Sequence, residues 1–276
     1  MSLPVRILVR TNVDWRALSY ENYAEQHDDT RPIMRIRATT RLGVTDLWKR
    51  VFDVDFFEYR RQLQQIGYES VRAADADCVS IGFDDFDDWY PGSQDEIIAT
   101  IDDDDFFRPP LRELRGMFRE DVDVVLWPQA RLGFLTESSS RQIDMWPFRH
   151  ILQTNCALRK SFLQRHFSPP DVTQMLAHHP VANERVAEVL NDGASTSGLL
   201  NFTHLDAARV RLIEPCYGLY NVHVGSVAFL HRALQTSDPV AYMERLELGG
   251  RVEVPDELQA FEPYVRAFED VTVTLR

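Results

Sequence analysis

Four consecutive aspartates, Asp102 to Asp105, follow an apolar segment at residues 97–101 and precede Phe106 and Phe107. The apolar segment is short and rich in isoleucine, which predicts a buried strand. In open α/β folds, ligands bind outside the carboxyl ends of the strands. Adjacent carboxylates repel one another, and a hard divalent cation, Mg²⁺ or Mn²⁺, neutralises them well. The run therefore predicts a cation site at a sheet edge, where the cation would also hold an anionic phosphate.

The four aspartates also have a plainer interpretation, because acidic runs are usually solvated loops. The strand before them and the two phenylalanines after them favour the cation site, but the residues alone leave both interpretations open. A second acidic run at residues 84–88 follows another apolar segment, residues 78–83. It is a rival metal site or a calcium-type loop, but it lacks the spaced ligands and the glycine of an EF-hand, so we favour a solvated loop near the rim of the active site.

A hydrophobic strand that ends in Asp-x-Asp, within a longer aspartate run followed by an apolar residue, resembles the metal site of glycosyltransferases with the GT-A fold. The segment from Ile101 to Phe106 resembles most the bacterial rhamnosyltransferase-like family. The resemblance covers residues 94–115 well and residues 150–162 and 215–232 loosely. It implies metal-dependent transfer of a sugar from a nucleotide-sugar donor to a hydroxyl acceptor, which is a glycan or a small molecule.

The resemblance also implies a set of metal ligands. Asp102, Asp104 and Asp105 would hold Mn²⁺ or Mg²⁺, and Asp103 would bind a donor hydroxyl. In many GT-A enzymes a histidine late in the chain completes the metal shell, and His223 fits that order. Neutral imidazole does bind Mn²⁺, although a lone histidine is more often structural.

Further residues are assigned to the donor by the same resemblance. Thr11 and Asn12 follow the predicted first strand and would contact the nucleotide, and Arg41 would meet the diphosphate. Asn155 would bind sugar hydroxyls, and Arg159 would face phosphates. Each has a structural alternative, which is a simple turn, a surface arginine or a strand-to-helix junction.

A catalytic base is needed only if the enzyme inverts the sugar configuration, and Asp144 and Asp192 are the candidates. Two rival functions stay open. A metal-dependent phosphohydrolase or nucleotidyltransferase also needs clustered carboxylates, but it usually needs further acids or histidines on other strands, and no second clear set is visible. A non-catalytic interaction protein would carry the aspartates as a solvated loop.

Composition limits the possible partners. The chain has 276 residues, 44% of them hydrophobic and 26% charged, as in ordinary soluble globular proteins. Its formal net charge of -13 argues against nucleic acid or an anionic membrane as the main partner. The sequence contains no run of eighteen apolar residues, so we expect no membrane span. The first residues lack a signal-peptide pattern. Three widely separated cysteines, Cys78, Cys156 and Cys216, suggest a reducing cytoplasm and no structural zinc.

Together these patterns predict an α/β fold. A GT-A-like single domain, with a central, mainly parallel sheet flanked by helices, would occupy residues 1–235, and a C-terminal extension, residues 236–276, would pack on it. Strands are predicted at residues 3–9, 33–40, 78–83, 97–101 and 122–127. Helices are predicted at residues 47–66, with Asp46 as N-cap and Gly67 at its end, and at residues 108–118 and 240–246.

Overall fold

The computed structural model of the chain describes residues 3–11, 34–35, 42–72, 90–102, 104–107, 111–119, 121–134, 139–146, 155–166, 169, 209–271, 273 and 275–276. In these parts the chain forms two β-sheets and several helices, so the predicted α/β class is confirmed. The predicted strand at residues 78–83 and the acidic run at 84–88 lie outside the described residues.

The strands and helices have the following bounds. The larger sheet contains β1 (Val5–Thr11), β2 (Met34–Arg35), β3 (Ile97–Asp102), β5 (Val124–Leu126), β8 (Cys156–Arg159) and β9 (Val210–Leu212). The smaller sheet contains β4 (Phe106–Phe107), β6 (Gln129–Gly133), β7 (Gln142–Trp146) and β10 (Gly218–Val222). The helices are α1 (Leu42–Val51), α2 (Phe56–Arg72), α3 (Leu111–Met117), α4 (Lys160–His166), α5 (Val227–Leu234), α6 (Pro239–Glu244), a 3₁₀ helix (Asp256–Phe261) and α7 (Glu262–Glu269).

In the larger sheet the strand order is β2-β1-β3-β8-β5-β9. Strand β8 is antiparallel to both of its neighbours, and every other adjacent pair is parallel. The carboxyl ends of β1 and β3 therefore lie at one edge of the sheet. Because β8 runs the other way, its amino end lies at that same edge.

In the smaller sheet the strand order is β4-β10-β6-β7. Strand β4 begins directly after the aspartate run and pairs antiparallel with β10, with Phe106 opposite Leu219. Strand β10 ends immediately before His223. The smaller sheet thus joins two parts of the chain that are distant in sequence. Strands β6 and β7 are antiparallel neighbours, with Gln129 opposite Trp146.

Two clusters of buried apolar side chains stabilise the two sheets. On the larger sheet, Ile97 and Ala99 of β3 pack with Ala157 of β8 and with Leu114 of α3. The second cluster includes side chains of α1, α2 and the smaller sheet, together with residues 243–268 of the C-terminal segment. Burial of this apolar surface is the main favourable contribution to folding.

The predicted helix at residues 47–66 is wrong in its bounds. Two helices, α1 and α2, take its place, so Asp46 lies inside α1 and Gly67 lies inside α2. The apolar spacing that suggested one helix is nevertheless buried as expected. Its buried members are Val51, Phe52, Phe56, Tyr59 and Leu63.

The break between α1 and α2 has a local cause. Oδ1 of Asp55 accepts a hydrogen bond of 3.1 Å from the backbone N–H of Glu58, as a residue that caps the start of a new helix does. The indole Nε1 of Trp48 donates to the carbonyl of Val54 at 2.8 Å, which fixes the turn between the helices. These two bonds position α2, and with it the residue Arg60, against the smaller sheet.

The C-terminal residues pack against α1. The backbone N–H of Arg276 donates to the carbonyl of Val51 at 2.9 Å, and Leu275 forms an isolated bridge with Phe52. The predicted helix near residue 240 is confirmed as α6. In the part of the chain that the structure describes, no helix has both the length and the apolar character needed to cross a membrane.

Candidate active site

The aspartate run lies where the sequence predicts it, directly after the buried strand β3. Asp102 is the last residue of β3, and its carbonyl accepts a hydrogen bond of 3.0 Å from the N–H of Asp105. This turn places the side chains of Asp102 and Asp104 in half-buried positions and leaves that of Asp105 only 1% exposed. Asp103 lies outside the described residues. We refer to Asp102, Asp104 and Asp105 as the acidic site.

Asp104 contacts two buried side chains. Its Oδ2 lies 2.8 Å from Nε2 of His223 and 3.2 Å from Nη2 of Arg60. Both partner side chains are 0% exposed, whereas that of Asp104 is 13% exposed. A buried guanidinium is strongly disfavoured unless an anion faces it, so Arg60 and Asp104 depend on each other.

The hydrogen bonds of His223 determine which ring nitrogen carries the proton. The backbone N–H of Gly225 donates to Nδ1 of His223 at 3.1 Å, so Nδ1 must present a lone pair. A neutral imidazole then has its proton on Nε2 and donates it to Asp104. The carbonyl of Gly225 accepts from Nη1 of Arg60, so the same turn holds both partners of Asp104.

Asn221 of β10 binds the aspartate turn through its backbone and its side chain. Its N–H donates to Oδ1 of Asp105 at 2.9 Å, and its Nδ2 donates to the carbonyl of Asp104 at 3.1 Å. Burial, together with the neighbouring carboxylates, raises the pKa of the Tyr220 phenol well above its usual range. The phenol of Tyr220 is therefore protonated at neutral pH.

The carboxylates suit a hard divalent cation by their chemistry, because Mg²⁺ and Mn²⁺ prefer oxygen ligands. Within the described ranges, however, no three His, Cys, Asp or Glu side chains are arranged to hold a metal ion. For Nε2 of His223 to bind a metal, the proton would have to move to Nδ1, and the bond from Gly225 would be lost. The carboxylates of the acidic site are therefore of a chemical type that suits the cation, but within the described residues they do not form a metal-binding group. His223 in its present tautomer does not fit the cation, and metal binding at this site stays a prediction.

Two of the residues predicted to bind the donor lie at the edge of the acidic site. Arg10 pairs with Asp102 across β1 and β3, so Thr11, the last residue of β1, lies at that edge. Asn155 precedes β8 and is fully buried, and its carbonyl accepts from the N–H of Trp127 at 3.0 Å. The antiparallel register of β8 against β3 places Asn155 at the same edge.

Arg159 requires a correction. It pairs with Ile97 at the opposite end of β3, and its Nε donates to the carbonyl of Val122 at 2.9 Å. Its Nη1 lies 3.3 Å from Oδ2 of Asp95. The five-residue length of strand between Ile97 and Asp102 corresponds to about 17 Å. Because β8 is antiparallel, Arg159 is at the wrong end of the strand to bind a phosphate beside the acidic site.

The remaining predicted residues are placed as follows. Asp144 lies on β7, where Nε and Nη2 of Arg131 donate to its two carboxylate oxygens at 3.1 and 2.8 Å. This ion pair occupies both oxygens, and a role for Asp144 as catalytic base stays a prediction. Three other predicted residues, Asn12, Arg41 and Asp192, lie outside the described part of the chain.

Sequence reasoning missed Arg60, Asn221 and Gly225. A signal for Arg60 was present, because it follows Phe56 by four residues and precedes Leu63 by three, which places a charge on the buried stripe of the helix. A charge in such a position needs a buried partner of opposite sign. Nothing in the spacing of Asn221 or Gly225 distinguishes them from ordinary residues at a strand end and a turn.

Comparison with known proteins adds no family to this description. No protein-family model matches the chain, and no curated protein matches it significantly. The fold and the site therefore define a class only. The chain is a mixed α/β protein in which an acidic site at the edge of the larger sheet contacts a buried arginine and a buried histidine.

Proposed function

We propose that the chain is a metal-dependent glycosyltransferase with a GT-A-like fold, which transfers a sugar from a nucleotide-sugar donor to a hydroxyl acceptor. One observation carries the proposal. The aspartate run and His223, which the resemblance assigns to one site, meet as a pair of side chains, Asp104 and His223, although 119 positions separate them. They meet at the carboxyl end of β3, the edge at which α/β folds bind ligands.

The residues at this edge supply the groups that donor binding requires. Asp102, Asp104 and Asp105 would hold Mg²⁺ or Mn²⁺. When bound, such a cation neutralises a donor diphosphate and stabilises the charge that develops on the leaving nucleoside diphosphate. Thr11 and Asn155, which the resemblance assigns to the donor, lie at the same edge of the sheet.

Other residues of the site keep the carboxylates in place. Arg60 and His223 both contact Oδ2 of Asp104, so the carboxylate cannot rotate without losing two partners. Asn221 holds the backbone of Asp104 and the side chain of Asp105. Groups that are fixed before the ligand arrives lose less conformational entropy when it binds.

Thermal unfolding tests the donor site. The melting temperature is measured with Mn²⁺ alone, with each of UDP, GDP and dTDP and their sugars alone, and with both. We expect a rise with one nucleotide that requires the metal, because a ligand that binds only the folded chain stabilises it. Asp104→Asn should abolish this rise. Asp121→Asn is the matched control, because Asp121 is exposed and precedes β5 at the opposite edge of the sheet.

The products of a long incubation separate the transferase from its rivals. A glycosyltransferase releases a nucleoside diphosphate, and it does so faster when an acceptor is present. Release of a nucleoside monophosphate would instead indicate a phosphohydrolase. If neither metal nor nucleotide changes the melting temperature, the donor site is wrong and an interaction protein becomes the better hypothesis.

A further inference from the structure

A cavity of about 570 Å³ lies between the turn after β10, the residue before β7 and the C-terminal segment. Its volume falls within the range of about 300–1,000 Å³ that is typical of small-molecule sites. His223, which contacts Asp104, also lines the cavity, whereas Asp102, Asp104 and Asp105 do not. Two other carboxylates, Glu269 and Asp270, belong to the lining. Most of its lining is contributed by residues 248–273, which have no role in the proposed donor site.

The cavity walls are mainly apolar. The rings of Tyr59 and His223 form part of the walls. Six apolar side chains also line the cavity: Phe134, Val224, Leu248, Phe268, Val271 and Val273. An apolar part of a ligand binds to such a wall because binding removes the apolar surface of the ligand and that of the wall from water.

Arg141 provides a cation at this apolar wall. Its guanidinium carbon lies 5.4 Å from the centroid of the Phe268 ring, and Nη2 donates to the carbonyl of Gly250 at 3.3 Å. Its Nε is buried and has no hydrogen-bond partner among the residues that the structure describes. Burial lowers the pKa of Arg141, which reflects the cost of keeping this charge partly out of water. An anion in the cavity would satisfy the unpaired donor.

The two other arginines of the lining differ from Arg141. Nη1 of Arg266 lies 2.8 Å from Oε2 of Glu269, and Nη2 lies 3.2 Å from Oε1 of Glu262, so its charge is already balanced. Arg251 is exposed to solvent, where water satisfies its donors. Glu269 also lies near enough to stabilise the charge of Arg141, but no ion pair joins the two side chains among the described residues. Arg141 is therefore the cation of the lining best placed to bind a further anion.

We propose that this cavity binds a small molecule with an apolar body at least as large as an aromatic ring and one anionic group, a carboxylate or a phosphate, which pairs with Arg141. The apolar walls take the body, and the guanidinium takes the charge. The proposal does not depend on the transferase activity, because Arg141 and the six apolar side chains lie outside the acidic site, although His223 of the lining also contacts Asp104.

Methyl NMR titration of the full chain with phenyl phosphate tests the position of the site. We expect the methyl signals of Val224, Leu248 and Val271 to move, and those of Val125 and Leu126 in the larger sheet to stay. Benzyl alcohol and inorganic phosphate each supply one half of the probe, and each should bind at least about tenfold more weakly than phenyl phosphate. If either half binds as tightly, or the cavity methyl signals do not move, the proposal is wrong.

Two charge-removing variants test the anchor. Arg141→Gln should weaken phenyl phosphate binding by about tenfold or more, the usual effect of losing a charge-assisted hydrogen bond. Arg251→Gln removes the same charge from the exposed rim and should change the affinity by less than about twofold. Equal weakening by both would show a general charge effect and overturn the assignment. If Arg141→Gln does not fold, Arg141→Lys and the comparison of probes on the unaltered chain still decide the question.

Discussion

Nε2 of His223 lies 2.8 Å from Oδ2 of Asp104. The pairing of β4 with β10 brings the two side chains together, because β4 begins two residues after Asp104 and β10 ends one residue before His223. Successive side chains of a strand point to opposite faces, so a shift of the register by one residue would separate the pair. The register of a short two-strand ladder thus determines the geometry of the candidate active site.

The ring of His223 should be neutral, with its proton on Nε2. Nitrogen-15 NMR of the imidazole tests this, because protonated and unprotonated ring nitrogens resonate in different ranges. We expect an unprotonated Nδ1, since Gly225 donates to it. Added Mg²⁺, which is diamagnetic, should leave the chemical shifts of the two ring nitrogens in the same ranges if only carboxylates bind the ion. If Mg²⁺ instead moved the proton from Nε2 to Nδ1, Nε2 of His223 would be a ligand of the ion.

Arg60→Met should destabilise the fold strongly. The substitution leaves the carboxylate of Asp104 without its buried cation and the carbonyl of Gly225 without a donor. Loss of one partner of a buried ion pair costs about 3–5 kcal/mol, and because Asp104 is slightly exposed we expect about 3 kcal/mol. Urea unfolding measures the change in the free energy of unfolding.

The neighbouring residue provides the control for Arg60. Arg61 is 50% exposed and pairs with Glu58 at 2.7 Å, so Arg61→Met removes a surface ion pair of the same helix. It should cost less than about 0.5 kcal/mol. Similar losses in both variants would mean that Arg60 is not buried against Asp104, and the geometry of the site would be wrong.

The sequence predicted the features of the site that depend on local pattern. The apolar segment at residues 97–101 forms β3, the aspartates follow it, and residues 156–166 form the strand-to-helix junction that was the structural alternative for Arg159. The proximity of Asp104 and His223 was predicted only by the resemblance to glycosyltransferases. The spacing of residues in the sequence does not show which distant strands pair.

Other features required tertiary information. Arg159 was assigned to phosphate by the resemblance to glycosyltransferases, but the antiparallel direction of β8 places it at the opposite end of the strand from Asn155. The helix predicted at residues 47–66 is divided because Asp55 caps a second helix, which the continuous apolar spacing conceals. Local pattern thus identified the elements, whereas strand direction and capping determined where their side chains lie.

The thiol of Cys216 should react slowly in the folded chain. Burial raises its pKa from 9.0 to about 11, so the reactive thiolate is scarce at pH 8. In a Cys78→Ser background, alkylation by iodoacetamide at pH 8, followed by peptide mass spectrometry, should be at least about 100-fold slower than in the urea-unfolded chain. Because the pKa is raised, the rate should keep increasing up to about pH 11. A plateau above pH 9 would contradict the burial of this thiol.

Gly225→Ala should disturb the site without removing any charge. A Cβ atom at Gly225 would lie 2.7 Å from Cε1 and 2.9 Å from Cδ1 of Tyr59, closer than side chains tolerate. The turn would have to move, and its N–H and C=O bonds to His223 and Arg60 would weaken. Overpacking of this kind costs about 1–3 kcal/mol, which thermal or urea unfolding detects.

Gly249→Ala is the matched control for Gly225→Ala. A Cβ atom at Gly249 would meet no atom of the described residues within 4 Å, so the free energy of unfolding should change by less than about 0.5 kcal/mol. The two alanine variants differ only in what surrounds the added methyl group. If Gly225→Ala is as stable as Gly249→Ala and leaves the NMR signals of the His223 ring unchanged, the close approach of Tyr59 to this turn is wrong. Residue 225 would then not need to be glycine. The turn that holds His223 and Arg60 against Asp104 would also be less tight than described.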